Sequence, residues 1–193
     1  FLQNLANGIS LGSLYALIAI GYTMVYGILR LINFAHGDLV MLGSYFAFYG
    51  VSMFFLPWWA AFIFAVGITA GVGVVMEKVA YRPLREFPRI NLFTAAVAVS
   101  FLLENLAIVI FGGRPKAFSR PAFMDKMLNI GSVTFVSYTP IVIAVSMVLF
   151  IGLILIINHT KAGTAMRALS KDIETTGLMG VNTDKIIMFA FIL

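Results

Sequence analysis

The residues able to do chemistry in this chain are few, and most of them stand beside apolar runs. Asn33, His36 and Asp38 lie within LINFAHGDL, broken by Gly37. An amide, an imidazole and a carboxylate packed this closely offer donors, acceptors and titratable groups to a passing solute. Ionisable groups near lipid are costly and face protein or water, which favours a place on a translocation pathway. The same residues also suit a plain turn, with Asn33 and Asp38 capping helix ends and His36 bonded to backbone. Glu104 is the one charge between Ile90 and Phe111, and Asn105 follows it. Together they either line a conduit or bond neighbouring helices. No second carboxylate shares that run, so paired acid-base chemistry is unsupported.

A third polar group occupies Asn158 to Lys185, NHTKAGTAMRALSKDIETTGLMGVNTDK, between two uncharged runs. Met166, Leu169 and Ile173 recur at helical spacing, while Arg167, Lys171 and Glu174 fall on another stripe. Thr164 is placed to cap the start of such a helix, and Gly177 to end it in a left-handed conformation. A second break at Gly180 and Asn182 lets the chain turn before Thr183. Such a helix either lies on lipid headgroups or gives a soluble partner something to push on.

Other chemistries are excluded. The sequence has no cysteine and only two histidines, far apart, so thiolate metal sites, disulfides and cysteine nucleophiles are absent. No phosphate-cradling G-x-x-x-x-G-K-[ST] loop occurs, so the chain does not hydrolyse ATP itself. No nucleophile, base and orienting residue can be grouped, and nothing suggests nucleic acid.

The elements that must hold these groups belong in lipid. Of 193 residues, 61% are hydrophobic and 11% charged, and the net charge of +5 collects at the ends of apolar runs. Mean hydropathy is +1.00, beyond the balance of a soluble globule. The uncharged stretches predict spans at about 9–29, 39–56, 58–77, 90–111 and 138–157, with a sixth begun at 185–193. Pro57, Trp58 and Trp59 turn the long run from Leu39 to Met76 into a hairpin, with the tryptophans at headgroup level. The expected fold is an all-α polytopic transmembrane helical bundle, one domain over 1–193, with a polar cytoplasmic segment at 160–182. No secretory signal is visible at the start, and the apolar end after Ile186 is too short to cross, so the bundle is expected to be C-terminally incomplete.

Lys78, Arg82, Arg85 and Arg89 form the densest basic cluster, which places their short loop on the cytoplasmic side. The arginines are expected to anchor the third and fourth spans at the headgroups, with Pro83 and Pro88 ending helices. The Gly- and Pro-rich loop at 112–137 then faces outward, folded against the membrane surface.

Three motifs in order, LGSLYALIAIGYTMVYGILRLINFAHGDLVMLGSY, VAYRPLR and AGTAMRALSKDIETTGLMGVNTDKI, closely resemble the LivH-like permeases of branched-chain amino-acid ABC importers across essentially the whole chain. Glu174, Thr175 and Thr176 followed by Gly180 also resemble the Glu-Ala-Ala-x-x-x-Gly loop by which ABC importer permeases dock on their ATPases. The small threonines stand for the alanines, and the downstream Ile-x-Leu-Pro of that signature is missing. The resemblance implies a multi-pass protein of the bacterial cytoplasmic membrane, a transport subunit rather than an enzyme. Its partners would be a homologous second permease, two ATP-binding cassette subunits that hold ATP and Mg, and an extracytoplasmic solute-binding protein. The cargo would be leucine, isoleucine or valine; sister systems carry urea or short amides. Coupling to the ATPase would fall on Arg167, Lys171, Asp172, Glu174, Gly177 and Gly180. From another class, an ion-coupled secondary transporter would use Glu104 and Asp38 as carriers.

Overall fold

A computed structural model describes residues 2–29, 32–85, 87–118, 127–130, 133–136 and 138–193. Helices run over Leu2–Leu29 (α1), His36–Ser52 (α2), Trp58–Met76 (α3), Arg89–Phe111 (α4), Tyr138–His159 (α5), Lys161–Leu169 (α6), Ile173–Leu178 (α7) and Thr183–Ile192 (α8). Hydrocarbon offers the backbone no hydrogen-bond partner, so apolar runs of this length satisfy their own amides as helices. Among the described residues, Gln3–Gly27, Trp58–Leu84, Ile90–Phe111 and Thr139–His159 are long and apolar enough to cross a membrane. The chain is a multi-pass helical membrane protein.

Several boundaries differ from the sequence reading, each for a local reason. α1 starts near the N-terminus because Gln3 Nε2 donates to Asn7 Oδ1 at 3.3 Å, a bond one turn along that lets polar residues continue the helix. α2 starts at His36, so Asp38 lies in its first turn, where a carboxylate meets the positive end of the helix dipole. α3 does not end at Met76: it widens into a π-helical turn, Glu77–Tyr81, and then tightens into a 3-10 turn, Arg82–Leu84. Within the loop at 112–137, Met127–Ile130 (β1) and Val133–Val136 (β2) pair antiparallel, Met127 opposite Val136 and Ile130 opposite Val133. This small hairpin is an exception to the helical pattern.

Contacts divide the chain into two units, 1–21 with 117–164 and 22–116 with 165–193. In the first, α1 and α5 border an apolar groove lined by Gly12, Ala16 and Leu17 on one side and Ile143, Ser146 and Phe150 on the other. The second holds the packed core, in which Leu39, Met76, Tyr81, Ala96, Met166, Leu169, Ile187 and Phe191 are buried together. Small residues set its spacing. A Cβ on Gly50 would stand 3.2 Å from Ala61 Cβ, and one on Gly73 would stand 3.0 Å from the Phe191 carbonyl oxygen. α2 thus lies close along α3, and the backbone of α8 rests directly on α3, as close-packed membrane helices require.

Candidate functional site

The segment before α2 folds into a knot of satisfied polar groups. Asn33 is 3% exposed, and its Oδ1 accepts a 2.7 Å hydrogen bond from the Tyr81 hydroxyl at the end of the π-helical turn. Asp38 is 8% exposed, and its Oδ2 accepts from the Ser100 hydroxyl of α4 at 2.6 Å. His36 is half-buried, and its ring meets Tyr22 edge-on with centroids 6.0 Å apart. The N-terminus of α2 carries no side-chain cap, so Asn33 and Asp38 do not act as helix caps. They tie α2 to α3 and α4, because the buried amide and carboxylate each need a partner that the local chain does not provide. Tyr81 and Ser100 have no role in the sequence reading.

Glu104 and Asn105 stand apart from that knot. Both are exposed on α4, and the Asn105 amide bonds back to the Phe101 carbonyl at 2.7 Å. Glu104 lies one turn beyond Ser100, on the same stripe of α4, but unlike Asp38 beside Ser100 it is exposed.

A chain of ion pairs joins α3 to the start of α8. Glu77, 1% exposed, accepts from Arg85 Nη2, and Arg85 Nη1 donates to Asp184 Oδ1 at 2.9 Å. Arg82 pairs with the other oxygen of Asp184. Burial pulls the Arg85 guanidinium below its ordinary value, and the Glu77 and Asp184 carboxylates offset only part of that fall. Its Nε is buried with no acceptor. The Tyr81 ring, fully buried, packs on Phe191 of α8 with centroids 5.6 Å apart. Arg82 and Arg85 are therefore not simple headgroup anchors: their first commitment is to carboxylates of this chain. The signal was present in the spacing, since Glu77, Tyr81 and Arg85 recur every four residues across EKVAYRPLR and so share one face of a helical segment. The Arg89 side chain lies outside the described residues.

The polar segment at 160–182 is two helices, not one. α6 begins at Lys161, with Thr160 Oγ1 accepting from the Gly163 amide at 3.0 Å; Thr164 lies inside it and does not cap it. The break at Ser170–Asp172 has a clear cause. Asp172 Oδ1 accepts from the amides of Glu174 and Thr175 at 3.0 and 3.2 Å, which makes it the N-cap of a new helix, α7. These bonds, with one from the Thr175 hydroxyl, hold the Asp172 carboxyl below its usual range. The break ends the apolar stripe: Met166 and Leu169 are buried, but Ile173 is exposed and Thr176 takes the inward position. Gly177 lies within α7, and the left-handed position belongs to Gly180, at φ +82°.

Arg167, Lys171, Asp172, Glu174, Gly177 and Gly180 are all exposed. Beside them stand two large apolar side chains absent from the sequence reading, Leu178 and Met179, 84% and 81% exposed. Asn182 then caps α8 by accepting from the Lys185 amide at 3.0 Å, which brings Asp184 to Arg85 a few residues from the exposed tip of α7. The arrangement is continuous: an exposed helix, a left-handed turn, a capped helix start, and an ion pair into the end of α3.

A family model described as "Branched-chain amino acid transport system / permease component" matches residues 4–193. The chain is 37% identical over 206 residues to the "High-affinity branched-chain amino acid transport system permease protein BraD" of Pseudomonas aeruginosa, covering 100% of this chain and 66% of that protein. To the permease protein LivH of the corresponding system in Salmonella typhimurium it is 36% identical, with the same coverage. It is 25% identical over 202 residues to a "Probable branched-chain amino acid transport permease protein LivH" of Methanocaldococcus jannaschii, covering 98% of this chain and 61% of that one. The chain thus spans about two thirds of the length of the curated relatives it matches. No solved structure matches it.

Proposed function

Because the chain belongs to the family of permease components of branched-chain amino acid transport systems, we propose that it forms the membrane path of an ATP-driven importer. The importer moves leucine, isoleucine and valine across the bacterial cytoplasmic membrane. A homologous second permease completes the path, a solute-binding protein delivers the cargo outside, and two ATPases supply the work from ATP and Mg inside. Urea or a short amide is the alternative cargo within the same family.

The observation that carries this reading is the link from α7 through Asp184 to Arg85 and Glu77. The exposed charges Arg167, Lys171 and Glu174, with Leu178 and Met179, offer a soluble partner both polar and apolar contacts. Movement of α7 is transferred to α8 across Gly180 and Asn182, from α8 to the end of α3 through Asp184, and from Tyr81 to the segment before α2 through Asn33. Nucleotide-driven closure of the ATPases would push on α7, and the attached helices would switch access between the two sides. The polar knot at Asn33 and Asp38 is the joint this motion loads, with His36 at its edge as a candidate solute contact; Glu104 and Asn105 line the path only where another subunit faces α4.

The ion-coupled alternative needs a carboxylate that solute ions reach. Asp38, buried and bonded to Ser100, does not suit that part, which leaves that alternative with Glu104, exposed on α4. The deciding experiment is uptake by proteoliposomes holding the permease with its partner subunits. Uptake is expected to require ATP and to survive a collapsed proton and sodium gradient; gradient-driven uptake without ATP would reject the importer. Glu174→Arg is expected to leave the protein in the membrane while reducing ATPase co-purification.

A further inference from the structure

At the other end of α3 from this network, the turn between α2 and α3 holds Phe55 at φ +52°. This left-handed conformation suits glycine or asparagine, and a bulky residue held there is a local cost that surrounding structure must offset. Backbone bonds on both sides keep it: the Phe54 amide donates to the Tyr49 carbonyl at 3.3 Å, and the Leu56 amide to the Gly50 carbonyl at 3.1 Å. Phe54 packs within the chain, its ring 5.6 Å from that of Phe64. Phe55 does not, being 87% exposed. A turn chosen only to close this hairpin would not place phenylalanine there, so the strained position asks for a use outside the hairpin itself.

We propose that the Phe55 turn is a membrane anchor, holding an aromatic wedge in the interfacial layer of the bilayer. Three observations favour lipid over a protein partner. The chain carries no charge from Leu39 to Met76, so the turn lacks the charged or polar rim of a docking surface. Met53, Trp58 and Trp59 flank Phe55 in the sequence, all more than half exposed, and tryptophan favours the headgroup boundary. Finally, α2 has 17 residues, about 25 Å at a rise of ~1.5 Å per residue, short of a hydrocarbon core of ~30 Å. With the start of α2 tied to α3 and α4 at the polar end, the turn is drawn into the interface rather than held in water.

The sequence contains two tryptophans, both at this turn, so their fluorescence reports its depth. The full-length permease in its complex is placed in vesicles of phosphatidylethanolamine and phosphatidylglycerol, and the signal of a Trp58→Phe/Trp59→Phe variant is subtracted. Lipids brominated near the headgroup end of the acyl chain are expected to quench the difference signal more than lipids brominated at the midplane, and aqueous iodide is expected to quench it little. Phe55→Asn suits the left-handed position. It is expected to keep or raise the thermal midpoint in detergent while shifting quenching from bromine toward iodide, and Phe55→Leu to restore the bromine pattern. Strong iodide quenching of the unaltered protein would overturn the proposal. So would protection that appears only when the solute-binding protein is added, which would make the turn a protein contact. Unchanged bromine quenching in Phe55→Asn, or a lower detergent midpoint for that variant, would overturn it as well.

Discussion

Replacing Glu77 by glutamine keeps the shape of the side chain and removes only its charge, which isolates what the ion-pair chain contributes. Glu77 is 1% exposed and its partner Arg85 is 16% exposed, so water screens little of their interaction. A hydrogen bond to a charged group contributes ~1.5–3 kcal/mol, and leaving a buried charge short of its partner costs ~3–5 kcal/mol. Arg85 would keep Asp184 at 2.9 Å, but that carboxylate is 40% exposed and compensates only in part. A loss of about 2 kcal/mol follows, at the low end because glutamine still offers an oxygen. For a chain of this size that is a fall of about 4–8 °C in the thermal midpoint. The assay is the unfolding midpoint of the purified permease in lipid nanodiscs for Glu77→Gln, Asp184→Asn and the double variant. Both carboxylates share Arg85, so the double variant should depart from additivity by about 1 kcal/mol. A midpoint within about 1 °C of the parent, or strictly additive single effects, would refute the shared-arginine account.

Three further outcomes follow from the same contacts. Gly73→Val should force α8 away from α3, since a Cβ at that position already stands 3.0 Å from the Phe191 carbonyl oxygen; a loss of about 2 kcal/mol in the same assay is expected, with Gly73→Ala milder, and an unchanged midpoint would contradict the close approach. Tyr81→Phe removes the donor to a buried Asn33 oxygen and should cost about 1–3 kcal/mol, whereas a neutral substitution would mean that water satisfies Asn33. The Asp172 carboxyl is held below its usual range by Thr175 and Glu174, so its capping is fully present above the unfolded carboxylate value of about 3.9 and is lost as pH falls through the lower folded value. Hydrogen-exchange protection of the Glu174 and Thr175 amides should therefore fall in acid for the parent and stay level for Asp172→Asn, and level protection in both would remove the carboxylate from the cap.

The long helices were legible because lipid allows so few solutions. A run without charge that is long enough to cross must be helical, and Pro57 in the run from Leu39 to Met76 marks its turn. What stayed hidden was partnership across the chain. Arg82 and Arg85 read as headgroup anchors because a basic residue beside a span is usually solvated, and nothing local says that Asp184, about a hundred positions on, will claim both. Asn33 and Asp38 read equally as caps or as pathway groups, because short polar side chains serve either use; the distant hydroxyls of Tyr81 and Ser100 that they bond instead of capping could not be read from the local sequence. The division of the polar segment into α6 and α7 was hidden for a different reason. The helical spacing of Met166, Leu169 and Ile173 continues through Asp172, but an aspartate that can bond two following amides gains more by starting a helix than by sitting inside one. Phe55 gave no signal at all, since phenylalanine is not the residue that marks a left-handed turn.

The two arms that hold Asp184 differ in how much water they see: Arg82 and Asp184 are 49% and 40% exposed, whereas Arg85 and Glu77 are 16% and 1% exposed. Dissolved ions weaken exposed charge pairs and barely reach sheltered ones, over a screening distance of ~8–10 Å at physiological strength. Concentrated electrolyte should therefore slacken the rim of this clasp while its root stays shut. A rise in ionic strength in the water that reaches Arg82 would loosen its pair with Asp184 and leave the pair of Arg85 with Glu77 closed.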